Sequence, residues 1–83
     1  MKVLLFGTAH CTLCECALDL LVSMPEMRSV TLEVVDVADS PALESRYGPR
    51  LPVLAIGGRE LDWPFDPPAV AAAIAAERAT ESP

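Results

Sequence analysis

The sequence predicts a small α/β domain whose elements follow the order βαβαββα. Three observations support this prediction. A strand is predicted over residues 2–6, in which residues 3–6 form a continuous apolar run, as in a central strand that is buried on both faces. Residues 12–23 place their apolar side chains at helical spacing, and Pro25 ends that helix. Residues 30–37 are rich in β-branched side chains and predict a second strand, so the strand–helix–strand order implies a right-handed parallel unit.

The second half of the chain predicts a short helix, a hairpin and a final helix, each bounded by a residue with a turn or cap preference. Ser40 is a suitable N-cap before a proline, and Gly48 ends the helix that follows. Gly57-Gly58 is suited to a tight hairpin turn, and Asp66 caps the last helix. The predicted spans are residues 41–47, 51–56, 59–63 and 69–79. Residues 80–83 are expected to fray.

Length and composition indicate one folded domain over residues 1–83. A hydrophobic fraction of 52% against 22% charged residues is typical of a globular chain with one modest core. The net charge of −6 argues against a nucleic-acid partner, because phosphate binding needs a basic face. The apolar runs are too short for a membrane span or a signal-peptide core. We therefore expect a cytoplasmic monomer that does not bind membranes.

The chemistry is concentrated between the first strand and the first helix. Residues 7–16 contain all three cysteines and the only histidine. Cys11 and Cys14 have Cys-x-x-Cys spacing at the start of a helix, where unpaired backbone N–H groups and the helix dipole lower the pKa of a thiol. In the cytoplasm, paired thiols are more often catalytic or metal-binding than structural. Cys11 is therefore the candidate nucleophile, and Cys14 is close enough to form a disulfide with it.

Three neighbouring residues bear on this pair. A charged His10 favours the Cys11 thiolate and Glu15 opposes it, so His10 is a candidate tuning residue whose net effect the sequence leaves open. Cys16 falls roughly 200° from Cys14 around the helix. We expect Cys16 to be a partly exposed helical cysteine that does not join the pair.

The element order and two motifs resemble the glutaredoxin branch of the thioredoxin superfamily. The residues that carry the likeness are Gly7, Thr8, Cys11 and Cys14, followed by Tyr47, Gly48, Arg50, Pro52, Val53 and Leu54. The spacing from thiols to proline is a strong joint signal, although either motif alone is weak. The likeness covers nearly the whole chain and is to the small glutaredoxin-like proteins whose individual functions are mostly unassigned.

The resemblance implies a thioredoxin-like fold with a four-stranded mixed sheet in the order 2-1-3-4, flanked by three helices. It also implies a cis Leu51–Pro52 bond that faces the thiols, so that Leu51 could pair with an extended substrate. Arg50 is a candidate contact for a substrate carboxylate. The implied activity is thiol–disulfide exchange with a disulfide-containing protein or a small thiol, in which Cys11 attacks and Cys14 resolves. Glutathione is the candidate reductant, and no bound cofactor or metal is expected.

Two departures from the family pattern leave other functions open. Thr12-Leu13 stands between the cysteines where typical dithiol glutaredoxins have a proline and an aromatic residue, and residues 62–66 replace a Gly-Gly-Asp segment that helps hold glutathione. A soft-metal carrier for Cu(I) or Zn(II) could use the same thiols, with His10 and Cys16 as further ligands. Its usual βαββαβ order differs from the predicted one. The third alternative is a thioredoxin-fold module that binds a partner without turnover.

Overall fold

The computed structural model describes residues 1–81, with side chains through residue 79. Its four strands form one mixed sheet in the order β2-β1-β3-β4. The strands are β1 (Lys2–Gly7), β2 (Thr31–Asp36), β3 (Val53–Ile56) and β4 (Arg59–Asp62). The helices that flank the sheet are α1 (Thr12–Val22), α2 (Pro41–Tyr47) and α3 (Pro67–Glu81). The predicted fold class and sheet order are confirmed.

Strand β1 occupies the centre of the sheet because its side chains are apolar on both faces. It pairs with β2 in parallel and with β3 in antiparallel orientation. Val3 and Leu5 face helices α1 and α3, whereas Phe6 faces helix α2. The continuous apolar run therefore reflects burial on both sides of the sheet.

Two apolar cores result, one on each face of the sheet. The larger core lies against α1 and α3, and its most deeply buried members are Val3, Leu5, Ala17, Leu21, Leu54, Ile56 and Val70. The ring of Phe65 also lies in this core and meets Trp63 edge-on, with ring centroids 5.1 Å apart. The smaller core, next to α2, contains the stacked rings of Phe6 and Tyr47, whose centroids are 4.2 Å apart.

The structure confirms the span predicted for α2 and moves other boundaries. Helix α2 ends at Tyr47, and Gly48, with φ −48°, begins a short 3₁₀ turn. Strand β3 begins two residues later than predicted, since Pro52 has no N–H to donate to a neighbouring strand. The Gly57 turn has φ +61° and joins β3 to β4 as predicted.

Helix α3 begins at Pro67, two residues before its predicted start, and reaches Glu81. Residues 80–81 are part of this helix, the fraying predicted for them stays a prediction, and residues 82–83 lie outside the described residues. The Trp63–Pro64 bond is cis, which the sequence did not predict. Within residues 1–81, no helix is both long enough and apolar enough to cross a membrane.

Truncation of the larger core should destabilise the fold. Leu54 on β3 is fully buried, and we expect Leu54→Ala to lower the free energy of unfolding by about 2–5 kcal/mol through lost burial and a residual cavity. Chemical denaturation followed by circular dichroism measures this change. Val22→Ala is the matched control, because Val22 is 65% exposed and should cost at most about 0.5 kcal/mol. Equal losses in the two variants would contradict the assignment of the core.

Candidate active site

The register of β1 and β3 places the loop that follows β1 and the loop that precedes β3 at the same end of the sheet. Phe6 on β1 pairs with Val53 on β3. Gly7, which leads to the cysteines, and Pro52, which precedes β3, are therefore both next to this pair in the sheet. The Leu51–Pro52 bond is cis, as the resemblance implied. Leu51 and Thr8 line one cleft, so the loop before β3 lies beside the loop that carries the cysteines.

Cys11 caps the N-terminus of α1 through its sulfur. Its backbone is extended, and its Sγ accepts a hydrogen bond from the backbone N–H of Cys14 at 3.1 Å. His10, with φ +61°, precedes it in the turn from β1. The N–H groups in the first turn of a helix have no partners within the helix. One of them therefore donates to the Cys11 sulfur, and in the reduced protein such a hydrogen bond would favour the thiolate.

Cys11 and Cys14 form a disulfide, with their Cα atoms 5.2 Å apart. Both residues are half-buried. A Cβ atom at Gly7 would lie 3.2 Å from Cys14 Sγ, so glycine leaves the space that this sulfur needs. Cys16 is exposed and lies outside the disulfide, as the helical spacing predicted. The structure therefore brings together the two sulfurs that the spacing singled out.

Two clefts flank the cysteine loop. The first, of about 290 Å³, lies beside the disulfide, and the second, of about 430 Å³, lies towards α2. The first has an apolar wall that includes Leu18 and Val34, the latter 56% exposed on the edge strand β2. Thr8 lines both clefts. The first cleft is lined by both cysteines of the disulfide together with His10, Glu15 and Asp36, and the second cleft is lined by Glu44.

Arg50 is held by two acidic side chains of β4. Its Nη2 lies 2.7 Å from Asp62 Oδ1 and 3.4 Å from Glu60 Oε1, and its Nε donates to the same Asp62 oxygen at 3.2 Å. The hydrogen bond to Asp62 is the main cause that raises the pKa of Arg50. The guanidinium is therefore already paired with carboxylates. Its contact with a substrate carboxylate stays a prediction.

Glu60 is a functional candidate that the sequence analysis missed. Its Oε2 accepts a hydrogen bond from the Tyr47 hydroxyl at 2.6 Å and lies 3.5 Å from Arg46 Nη2. The bond between Tyr47 and Glu60 raises the pKa of Tyr47 and lowers that of Glu60. The sequence contains one signal that could have pointed to Glu60. Two acidic residues, Glu60 and Asp62, lie two residues apart on one strand, and two arginines, Arg46 and Arg50, lie four residues apart in the segment before β3.

These contacts attach the segment before β3 to β4. Tyr47 and Arg50 bind acidic side chains of β4, and the backbone N–H of Trp63 donates to the Pro52 carbonyl at 3.3 Å. Leu51, with the cis bond to Pro52, lies between these points of attachment. The network therefore fixes the position of the loop that adjoins the cysteines.

Metal ligands do not cluster in the described part of the chain. Among the side chains of residues 1–79, no group of three or more histidine, cysteine, aspartate or glutamate residues is placed to hold a metal ion. His10 and Cys16 thus do not form such a group with Cys11 and Cys14. His10 instead lines the first cleft, next to the disulfide.

The chain matches the family model described as Glutaredoxin-like domain (DUF836) over residues 2–75. It belongs to this family. Two structures of Northeast Structural Genomics target protein XcR50 from X. campestris are similar to it, each with a TM-score of 0.74. The match to the X-ray structure has 41% sequence identity and covers 89% of this chain and 96% of the XcR50 chain. The match to the solution structure has 42% sequence identity and covers 92% of this chain and 95% of the XcR50 chain.

Thioredoxin 1 from Thermosipho africanus TCF52B is 18% identical over 98% of both chains, with a TM-score of 0.71. This likeness shows the thioredoxin fold. No curated protein matches the chain. The predicted membership of the glutaredoxin-like family is confirmed, and so is the predicted thioredoxin-like fold.

The bond between Tyr47 and Glu60 should make stability depend on pH at both extremes. The pKa of Glu60 is lowered from 4.5 by folding, so its contribution is present above that value and is lost as the pH falls through the folded pKa. The pKa of Tyr47 is raised from 10.0, so its contribution is present below that value and is lost as the pH rises through the folded pKa. Both contributions are complete near neutral pH.

Tyr47→Phe tests this bond, because it removes the hydroxyl and keeps the ring that stacks on Phe6. We expect a loss of about 1 kcal/mol at pH 7, at the low end for a bond to a charged group because Glu60 is partly exposed. Urea titrations from pH 3 to pH 11 measure the difference from wild type. It should shrink as the pH falls below 4.5 towards the folded pKa of Glu60, and as the pH rises above 10.0 towards the folded pKa of Tyr47. A pH-independent difference would show that the bond does not contribute as assigned.

Proposed function

We propose that this protein is a cytoplasmic thiol–disulfide oxidoreductase with Cys11 as the nucleophile and Cys14 as the resolving thiol. The observation that carries this proposal is the position of Cys11 Sγ at the start of α1, where it accepts the Cys14 N–H at 3.1 Å. Reactive thiols act as thiolates, and such hydrogen bonds stabilise a thiolate. The disulfide between the two residues supports a pair that cycles between dithiol and disulfide.

The exchange proceeds in two displacements. The Cys11 thiolate attacks one sulfur of a substrate disulfide, the substrate S–S bond breaks, and the departing thiolate takes up a proton. Cys14 then loses its proton and attacks Cys11 Sγ in the mixed disulfide, which releases the second substrate thiol. Two electrons pass to the substrate and the protein is left with the Cys11–Cys14 disulfide. A thiol reductant must then restore the dithiol, and glutathione is the candidate.

Leu51, Pro52 and Arg50 are the proposed substrate contacts. Leu51 and Thr8 line the same cleft, so an extended substrate there could pair with the Leu51 backbone as an added strand. The attachment of this segment to β4 by Arg50 supports a preformed docking surface. Within this proposal His10, which lines the cleft beside the disulfide, tunes the thiols.

Single cysteine variants test the mechanism. We expect Cys11→Ser to reduce insulin or a small disulfide at least about 100-fold more slowly than wild type, because it lacks the attacking thiolate. Cys14→Ser should instead accumulate a mixed disulfide between Cys11 and the substrate, because the resolving thiol is missing. Reductase assays and mass spectrometry of the quenched protein measure the two outcomes.

Cys16→Ser is the matched control, since Cys16 is an exposed cysteine outside the pair, and it should keep wild-type turnover. The same preparations are titrated with Cu(I) and Zn(II). An absence of reductase activity in wild type, joined with tight stoichiometric metal binding that needs both Cys11 and Cys14, would overturn the proposal in favour of a metal carrier. The absence of both activities would favour a binding module without turnover.

A further inference from the structure

We propose that the clefts beside the disulfide select disulfides with positively charged or neutral flanks over anionic ones. The inference rests on the proposed exchange activity and names its substrate class. The preferred partner is then a disulfide within a basic or uncharged segment of polypeptide, or a small cationic disulfide. Glutathione disulfide, which carries more negative than positive charge at neutral pH, belongs to the disfavoured substrates, and glutathione as the candidate reductant would meet the same charges and react slowly.

The two clefts present acidic side chains to a substrate. Glu15 and Asp36 line the cleft that contains both sulfurs, and Glu44 lines the cleft next to Leu51. Thr8 lines both, so a substrate bound across the cysteine loop lies close to all three carboxylates. The linings of the two clefts contain neither lysine nor arginine. Only His10, which is exposed, could add positive charge there.

The two arginines nearest to this end of the sheet are paired with other acids. Arg50 binds Asp62 at 2.7 Å, and both Arg46 and Arg50 lie within 3.5 Å of Glu60. A substrate carboxylate would therefore compete with these contacts. The pairs therefore compensate the charges of both guanidinium groups, and neither arginine lines the clefts.

The other basic residues lie towards the opposite end of the sheet. Lys2 begins β1 and binds Glu33 at 2.9 Å, and Arg59 begins β4 at the hairpin turn. Arg28 precedes β2, and Arg78 of α3 contacts Ser29 in the same turn. Positive charge is thus concentrated away from the disulfide, in a chain whose net charge is −6.

This distribution should act mainly on the rate of encounter. Charges that line a cleft raise the association rate of oppositely charged reactants by about tenfold or more at low salt. The Cys11 thiolate adds to the negative potential during attack. Because the carboxylates are exposed, added salt screens them over about 8–10 Å near physiological ionic strength. Selectivity that arises from these charges must therefore fall as salt is added.

Three small disulfides of different charge provide the probes: cystamine, bis(2-hydroxyethyl) disulfide and 3,3′-dithiodipropionate. Pre-reduced protein, freed of reductant, is mixed with each, and its conversion to the Cys11–Cys14 disulfide is followed by acid quench, alkylation and mass spectrometry. Each turnover consumes the protein dithiol and releases two small thiols, so no other reductant is needed. Rate constants are divided by those of dithiothreitol with the same disulfide, which removes differences in intrinsic reactivity.

We expect the normalised rate for cystamine to exceed that for dithiodipropionate about tenfold at low ionic strength, with the neutral disulfide between them. In 0.5 M salt the ratio should approach one. The double variant Glu15→Gln and Glu44→Gln should lower the ratio several-fold at low salt. Its control is Glu26→Gln with Glu33→Gln, which changes net charge equally but away from both clefts and should keep the wild-type ratio.

The outcomes separate this inference from the function on which it rests. Equal normalised rates, a preference for dithiodipropionate, or a ratio that salt does not change would overturn the inference while leaving the exchange activity in place. An equal loss of selectivity in the control variant would overturn it as well, because net charge alone would then account for the effect. If none of the three disulfides oxidises the protein, the proposed function and the inference both fail.

Discussion

The pairing of β1 with β3 is the constraint on which the candidate site depends. Because the two strands run antiparallel, the end of β1 and the start of β3 share one end of the sheet. The cysteine loop follows β1 and the Leu51–Pro52 bond precedes β3, so the pair of Phe6 with Val53 places one loop beside the other. A shift of one residue would turn Leu5 and Phe6 to the wrong cores. Burial of these side chains in the two cores therefore stabilises the register that places the two loops side by side.

The main chain supplies much of the chemistry at this end of the sheet. The Cys14 N–H donates to Cys11 Sγ, and the absence of a side chain at Gly7 leaves room for the Cys14 sulfur. The adjoining segment is attached by side chains instead, through the contacts of Tyr47 and Arg50 with β4. The first arrangement bears on thiol reactivity, and the second fixes the surface that a substrate would meet.

The fold and the cysteine pair could be predicted because they depend on local patterns: an apolar central strand, helical spacing after Thr12 and two thiols at a helix start. The cis bond at Pro52 was predicted from the family resemblance alone. Glu60 could not be found in this way, since its partners depend on where α2 lies against β4. The contacts of Glu60 depend on tertiary position, which the local sequence does not encode.

The acidic side chains near this end of the sheet fall into two groups with different surroundings. Glu60 and Asp62 bind arginines and a tyrosine, so their charges are largely compensated and contribute to the position of the loop. Glu15 and Glu44 line the clefts instead, and neither cleft has a lysine or an arginine in its lining. Neutralising the second group should alter the potential that a substrate meets without loosening the contacts that hold the loop. Because the two sets of acids share no partner, their effects on stability and on selectivity should be nearly additive.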